Sequence, residues 1–388
     1  LYDANKVGII PEVLDKWFAE RVEYKNLMKK YKNEGNKELA EFYDRRQHIQ
    51  KIFLNSLYGV LGLPIFRFFD IDNALAVTAT GQDVIKNSAD FANKLYNDRL
   101  QDTNDYCIYI DTDSLYFSSK VLLPENKEPK EFTISLARVM EKKLNEYYNG
   151  MAKELFFCDK HRFYIKGESV ASKGLWIAKK RYAMNAVYDL EANLDVDNKI
   201  KIKGLDVVRS TFPPAFRDFM NSVLKNVLGG ITKDDMDSKV LEFRKALDSR
   251  YYLDVARNTS VKNISEYEKG LSKQLNEFNK GTPAHVKACI SYNKLLHHFK
   301  IANRYEKISD GEKIRYVYLK SNPLNLETIA VKGYNDPKEI VEIAEKYIDY
   351  EALFVNELKT KLEDFYSALG WGLLPTDVNQ KANEFFSF

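Results

Sequence analysis

Residues 106–119 read Tyr-Cys-Ile-Tyr-Ile-Asp-Thr-Asp-Ser-Leu-Tyr-Phe-Ser-Ser, two β-favouring runs on either side of a short polar step. Apolar or aromatic residues precede Asp111, and Leu115, Tyr116 and Phe117 follow Ser114. This pattern predicts a β-hairpin with Asp111 and Asp113 at its tip. If the backbone stays extended there, the two carboxylates point to the same side. Asp favours turns through local hydrogen bonds, so an isolated Asp-Thr-Asp would be an ordinary turn. Here the carboxylates crowd between two strands expected to be buried, and like charges held that close repel unless a cation sits between them. Hard oxygen ligands without metal-spaced Cys or His favour Mg2+ over zinc. An EF-hand does not fit, because neither this loop nor Asp70-Ile71-Asp72-Asn73 carries Gly at the sixth loop position. What remains is a carboxylate pair suited to holding Mg2+ for phosphoryl or nucleotidyl transfer.

The chain has 388 residues, 45% hydrophobic and 13% aromatic, enough to bury a large core split between two or three domains. The net charge is only +3, so contact with nucleic acid must come from local basic patches rather than a global field. Cys107, Cys158 and Cys289 show neither metal spacing nor a framework of pairs, which fits a reducing compartment. No apolar run is long enough to span a bilayer and no signal peptide opens the chain, so no membrane partner is expected. The first residue is Leu rather than Met, and a fragment or processed piece is expected.

Residues 1–10 read as the tail of an extended connection, and Pro11 suits the first turn of a helix. From Glu12 to Tyr31, Val13, Leu14, Trp17, Phe18 and Val22 recur at three- and four-residue steps, which predicts a helix. Asn33-Glu34-Gly35-Asn36 breaks it, and a second helix is predicted over Lys37 to Tyr58. Two such helices joined by a short turn make an antiparallel hairpin with arms of about 30 Å. Arg21 and Lys25 share a face of the first arm. Lys51, Asn55 and Tyr58 share a face of the second. A solvated basic face is the ordinary reading of helical Arg and Lys. The run from Lys51 to Gly59, however, sets a cation, an amide and a phenol in a row and closes on Gly, where a backbone or ligand can approach closely.

Lys51-Ile-Phe-Leu-Asn-Ser-Leu-Tyr-Gly59 followed by Tyr109-Ile-Asp-Thr-Asp-Ser114 resembles the polymerase domain of family B DNA polymerases. Phe66-Arg-Phe-Phe-Asp70 and Thr80-Gly-Gln82 look closest to the T-even-phage replicative type within that family. The resemblance covers nearly the whole chain and implies an α+β right-hand polymerase. Its parts would be a connection over 1–10 to a missing N-terminal palm, helical-hairpin fingers over 11–59, a palm with antiparallel sheet and packed helices over 60–204, a mainly helical thumb over 205–380, and a clamp-docking tail over 381–388. Arg21, Lys25 and Lys51 would then meet the triphosphate of the incoming dNTP, since several cations suit a polyanion and a departing pyrophosphate. Lys51 joins Asp111 and Asp113 as a catalytic residue. Asn55 and Tyr58 would lie against the nascent base pair, Tyr58 on its minor-groove side, and closure of the hairpin would complete the site. The resemblance makes Asp113 a principal ligand of two Mg2+ ions, with Asp111 beside it. Glu168, at the end of Phe163-Tyr-Ile-Lys-Gly-Glu168, is a candidate further ligand, with a solvated Glu as the alternative.

Within the palm segment, a helix is expected over Asn73 to Leu95 behind the acidic hairpin and a second near Ser135 to Tyr148, with strands at Phe163 to Ile165 and Leu175 to Val187. Lys179, Lys180, Arg181 and Tyr182 form a basic run ending in an aromatic. On a strand, Lys179 and Arg181 would face one side and Lys180 and Tyr182 the other. A charged sheet edge is the plain alternative. The resemblance of Ala178 to Ala183 implies a strand tracking the primer near its 3′ end, with phosphates taking the cations. Lys203 to Ser210 resembles the family's palm-to-thumb junction, and Arg209 is a candidate phosphate contact.

From Leu205 onward the sequence reads as mainly helical and lysine-rich, as at Pro214 to Leu228, Asp234 to Leu247 and Pro337 to Leu369. The family's thumb grips duplex product through phosphate, which implies sequence-tolerant, salt-dependent binding. His285, His297 and His298 carry no assigned role. The final Glu384-Phe385-Phe386-Ser387-Phe388 reads as an apolar docking tail. It resembles the clamp-binding peptide of phage replicative polymerases, so Phe385, Phe386 and Phe388 would meet a sliding clamp. A tail folded onto its own thumb is the alternative.

The family's other metal motif, an Asp followed by a SLYP-type sequence, precedes the fingers. No such stretch occurs before Pro11, nor does a candidate proofreading exonuclease. Two-metal catalysis needs carboxylates on both sides of the ions. The isolated chain is therefore expected to be inactive and to need an N-terminal polymerase and exonuclease portion, either a second subunit of a split polymerase or a removed segment. The leading expectation is template-directed transfer of nucleotides from dNTPs to the 3′-OH of primer–template DNA, in the host cytoplasm if phage-encoded. The alternative is a non-catalytic DNA-binding and clamp-docking subunit. A reverse transcriptase also uses a two-Asp hairpin, but the helix ending at Gly59 and the thumb argue against it.

Overall fold

Two long helices open the structure, α1 (Ile9–Asn33) and α2 (Lys37–Leu61). In this computed structural model residues 6–272 and 274–375 are described. Phe385, Phe386 and Phe388 and the start of the 1–10 connection lie outside them. The described residues form two compact units, one up to Glu168 and one from Ser169, a division that falls inside the segment 60–204.

In the first unit the break between the helices acts as its sequence implies. Gly35 turns with φ +74, and the Asn36 side chain caps α2 by accepting the Leu39 N–H at 3.2 Å. The arms run antiparallel. Trp17 meets Phe53 with ring centroids 5.6 Å apart, the Gln50 amide donates to Glu20 at 2.5 Å, and the Arg46 guanidinium lies 5.6 Å over the Tyr24 ring. A two-helix hairpin has one seam, so α1 has no fully buried residue and α2 has only Leu61.

Helix α3 (Ile71–Leu100) is capped by Asp70, which accepts the Asn73 N–H at 3.0 Å. It packs on α4 (Pro129–Phe156) through Ala89, Ala92, Leu144, Tyr148 and Met151, where small alanines let the helices approach. Ser88 and Tyr148 share a buried hydrogen bond of 2.8 Å, and Phe91 stacks on Tyr147. Between these helices in sequence lie β1 (Cys107–Asp111) and β2 (Ser114–Phe117), an antiparallel ribbon. Tyr96 of α3 packs against Tyr106 and Phe117, so this helix lies against the ribbon as expected. The expected burial of the strands does not hold: no residue of β1 or β2 is fully buried, because so narrow a sheet cannot cover itself. No strand forms at Phe163 to Ile165 either. There the Asn145 side chain takes both backbone groups of Ile165, at 2.8 and 3.0 Å, in place of a neighbouring strand.

The second unit begins with an antiparallel meander of β3 (Ser169–Ala178), β4 (Arg181–Asp189) and β5 (Leu194–Lys203). The expected strand from Leu175 to Val187 is therefore two strands, divided at Lys179-Lys180, where Lys180 has φ +62. Next come α5 (Pro214–Gly229), α6 (Lys233–Ala246), α7 (Tyr252–Val255), β6 (Arg257–Ser260), α8 (Ile264–Glu268), α9 (Ala284–His298), β7 (Lys313–Tyr318), β8 (Thr328–Val331), α10 (Lys338–Tyr347), α11 (Tyr350–Phe354) and α12 (Thr360–Ala368). The region read as mainly helical thus contains a second antiparallel sheet, β6-β7-β8. The helical stretch expected over Pro337 to Leu369 is broken at Ile348-Asp349 and passes through a π-helical turn at Val355–Lys359. Phe216, Leu224, Met236, Cys289, Leu296, Val317, Ile329, Ile340, Leu358 and Leu362 meet in one core. Among the described residues no helix is long and apolar enough to cross a membrane.

Candidate functional site

The acidic hairpin closes through a two-residue loop, Thr112-Asp113, with Asp111 paired to Ser114. Thr112 has φ +56. Hairpins of this length commonly put Gly at the first loop position, and an L side chain there costs roughly 1–2 kcal/mol. Local bonds hold the strained turn. The Asp113 N–H and the Ser114 hydroxyl donate to the Asp111 carbonyl at 2.7 and 3.0 Å, and the Thr112 hydroxyl donates to Asp111 Oδ1 at 3.2 Å. The tip is therefore not extended, and the condition under which alternation would align the two carboxylates is not met. Register instead places Asp111, half-buried, on the face of Ser114, Tyr109 and Tyr116, while Asp113 is exposed in the turn.

The root of the hairpin is held by a residue that the sequence did not single out. Asn93 of α3 accepts the backbone N–H groups of Tyr106 and Cys107 at 2.8 and 3.1 Å and donates to Asp105 Oδ1 at 2.7 Å. Its signal was an amide next to Ala92 on the core side of an otherwise apolar helix face.

On the helical hairpin, Arg21 and Lys25 are half-buried on α1, whereas Lys51, Asn55 and Tyr58 are exposed on α2. The Glu20–Gln50 bond sets the level of the two arms. Arg21 follows Glu20 and Lys51 follows Gln50, so both cations stand on one rung. Lys25 is one turn nearer the tip, and Asn55 and Tyr58 are one and two turns nearer the base, a row of about 16 Å along the axis. The Arg21 Nε is buried without a hydrogen-bond partner. Beyond its chain neighbours and its own helix backbone, no described heavy atom lies within 4 Å of where a Gly59 Cβ would stand, so the approach foreseen at this glycine is open.

In the second unit Lys179 and Lys180 are the turn between β3 and β4, closed by the pairing of Ala178 with Arg181, so the alternation expected for a strand does not apply to them. Arg181 donates to Asp364 on α12 at 2.7 Å. Tyr182 is 3% exposed and stacks on its cross-strand partner Trp176. It therefore supports the sheet and cannot offer its ring to DNA at the surface, contrary to expectation. Arg209 is exposed and pairs with Asp206 at 3.0 Å.

The sequence model of DNA polymerase family B matches residues 2–368. This chain belongs to DNA polymerase family B. It is similar to the DNA-directed DNA polymerase of Enterobacteria phage T4, 29% identical over 372 residues, 90% of this chain and 39% of that protein. It is also similar to that of Escherichia phage RB69, 27% identical over 363 residues, 87% of this chain and 38% of that protein. The DNA polymerase alpha catalytic subunit of Dictyostelium discoideum is 26% identical over 317 residues, 81% of this chain and 18% of that protein. The family B chain thus spans less than two-fifths of the phage relatives it matches.

Family B membership brings divalent metal chemistry into question. Asp111 and Asp113 are hard carboxylate donors of the kind Mg2+ takes, but two residues make only part of an octahedral set. Glu168 does not complete it. Among the described residues no three His, Cys, Asp or Glu side chains gather closely enough to hold a metal ion. The irregular segment leading to Glu168 is tied instead to α4, where the Gly167 N–H donates to Glu141 at 2.9 Å. The family B chain also carries a basic stripe that the sequence reading missed. Lys199, Lys201 and Lys203 of β5 pair with Ala186, Met184 and Tyr182, while Ile200 and Ile202 pack on the core. The Lys-Ile-Lys-Ile-Lys alternation was its signal.

Proposed function

We propose that this chain is the fingers, most of the palm and the thumb of a DNA-directed DNA polymerase, working with an N-terminal portion that supplies the remaining catalytic carboxylate and an exonuclease. The observation that carries the reading is the Asp111-Thr112-Asp113 turn. It is held strained at the end of a short ribbon, in the same unit as a helical hairpin that bears Arg21, Lys25 and Lys51. Strain of this kind persists where surrounding structure over-determines it, and such positions cluster at active sites. The limited span of the phage relatives supports a second portion. So do the exposed apolar side chains of Ile52, Phe68, Phe69 and Leu75, with Ile65 89% exposed, which are of the kind that proteins cover.

In this reading Arg21, Lys25 and Lys51 hold the triphosphate, and Asn55 and Tyr58 bear on the new base pair. Lys179, Lys180, Arg181, Arg209 and the β5 lysines take primer–template phosphates. The primer 3′ oxygen attacks the α-phosphorus in line, the new O–P bond forming as the bond to pyrophosphate breaks. Asp111 and Asp113, together with oxygens from the N-terminal portion, would hold two Mg2+ ions, whose chemistry would be to activate the hydroxyl and neutralise the leaving group. The tail with Phe385, Phe386 and Phe388 docks a sliding clamp. The unpaired Cys107, Cys158 and Cys289 support a cytoplasmic setting.

The test is primer extension by this chain assembled with the N-terminal portion. Asp113→Ala should retain primer–template binding and lose extension. Normal extension by that variant would refute the role of Asp113. Extension by the isolated chain would refute the need for a second portion. An assembly that binds DNA but never extends it would favour the non-catalytic alternative.

A further inference from the structure

Arg181 emerges from the basic turn already holding an anion, since its Nη1 donates to Asp364 Oδ2 at 2.7 Å. The two side chains are 31% and 36% exposed, so the pair is within reach of a polyanion. Asp364 stands on α12, which Leu362, Phe365 and Tyr366 anchor in the core and which Tyr366 ties to Asp237 through a 2.6 Å bond. The helix is therefore a fixed platform, and exchange at Arg181 needs only a rotation of the Asp364 side chain.

The surroundings favour such an exchange. Lys361, one turn before Asp364, lies over the Phe212 ring at 5.3 Å and donates to the Glu357 carbonyl. Burial is the main influence holding its ammonium below the ordinary lysine range; Glu357 and Asp206 oppose it, and Arg257 and Arg181 add to it. Arg181 thus has the Lys361 ammonium as a neighbouring cation. Arg257 is paired with Glu357, but that carboxylate is 2% exposed and too deep for an external anion to replace. Asp364 is at the surface, and a backbone phosphate offers a guanidinium the same oxygen geometry that a carboxylate does.

We propose that Asp364 is a positioning residue that stands in for a DNA phosphate on Arg181. It orients the guanidinium beside the Lys179-Lys180 turn in the free chain and releases it to the primer–template backbone on binding. This rests on the reading that the basic turn meets DNA phosphate. An exposed ion pair is weak in water, whereas a duplex gains from releasing its condensed counterions, so the exchange runs toward DNA at low salt and reverses as salt rises.

The test is fluorescence anisotropy of a labelled primer–template duplex titrated with the full chain over a range of salt. Arg181→Gln should weaken binding and flatten the salt slope by about one. Asp364→Asn should tighten binding about two- to fivefold, the range an exposed pair allows, and that gain should vanish when Arg181→Gln is also present. Glu363→Gln, which removes a charge from the neighbouring position on the same helix, controls for the general field. Asp364→Ala repeats the measurement, with thermal melts verifying that each variant folds. If Asp364→Asn gains nothing, gains as much in the Arg181→Gln background, or gains no more than Glu363→Gln, the exchange is overturned while the basic turn keeps its role. If neither Arg181→Gln nor Lys179→Gln changes affinity or salt slope, the basic-turn reading fails and the exchange fails with it.

Discussion

The carbonyl oxygen of Lys180 occupies the space that a side chain on Gly204 would need, since a Cβ there would stand 1.8 Å away. Gly204 also has φ +65, a conformation L residues rarely adopt. The end of β5 is thereby seated against the basic turn, and neither can shift without the other. Gly204→Ala should cost on the order of 3 kcal/mol, combining left-handed strain with displacement of the turn. Urea denaturation measures this, and wild-type stability in the variant would mean the close approach is absent in solution. If the turn meets DNA, the folded fraction should also bind primer–template less tightly.

Asn93 gives the acidic ribbon its root, so Asn93→Ala removes three hydrogen bonds and leaves the Tyr106 amide without its acceptor, while the Cys107 amide keeps Asp105 Oδ1 at 2.9 Å. The expected loss is about 1–3 kcal/mol. Amide exchange at Tyr106 should quicken most, that at Cys107 less because Asp105 still accepts it, while the buried positions of α4 keep their protection. Asn93→Asp keeps an acceptor for the amides but sets a second carboxylate against Asp105, so it should fall between wild type and the alanine variant. Unchanged exchange in both variants would show that α3 does not anchor the ribbon this way.

Glu357 is nearly inaccessible, and Arg257 reaches it at 2.9 Å. Arg257→Met would take the paired guanidinium from a buried carboxylate, leaving Lys361 as its nearby cation, and should cost about 3 kcal/mol, whereas replacing both residues by Met should recover most of the loss. Equal costs in the single and double variants would mean that packing around the π-helical turn, rather than the charge, sets the penalty.

Elements with local causes are legible in the amino-acid order alone. The Asn33–Asn36 break, the three- and four-residue apolar rhythm of the arms and the polar step between two β-favouring runs name helices, turn and hairpin without distant partners. The placing of Arg21 with Lys51 follows less directly. Helical spacing gives each a face, but the rung they share depends on how Glu20 meets Gln50 across the seam. Phe163 to Ile165 misleads because its alternation is that of a strand, yet Asn145 supplies the bonds that a neighbouring strand would have given.

Two acidic residues at a hairpin tip, cations along two helical arms and the motifs of family B are all written in the amino-acid order, because short-range sterics and side-chain periodicity act within a few residues. Tertiary structure alone decided that Tyr182 turns inward onto Trp176, that Gly204 must be glycine and that Arg181 is already paired. Arg181 and Asp364 lie 183 residues apart. Their meeting depends on how a helix far along the chain packs beside a sheet, which no local pattern encodes.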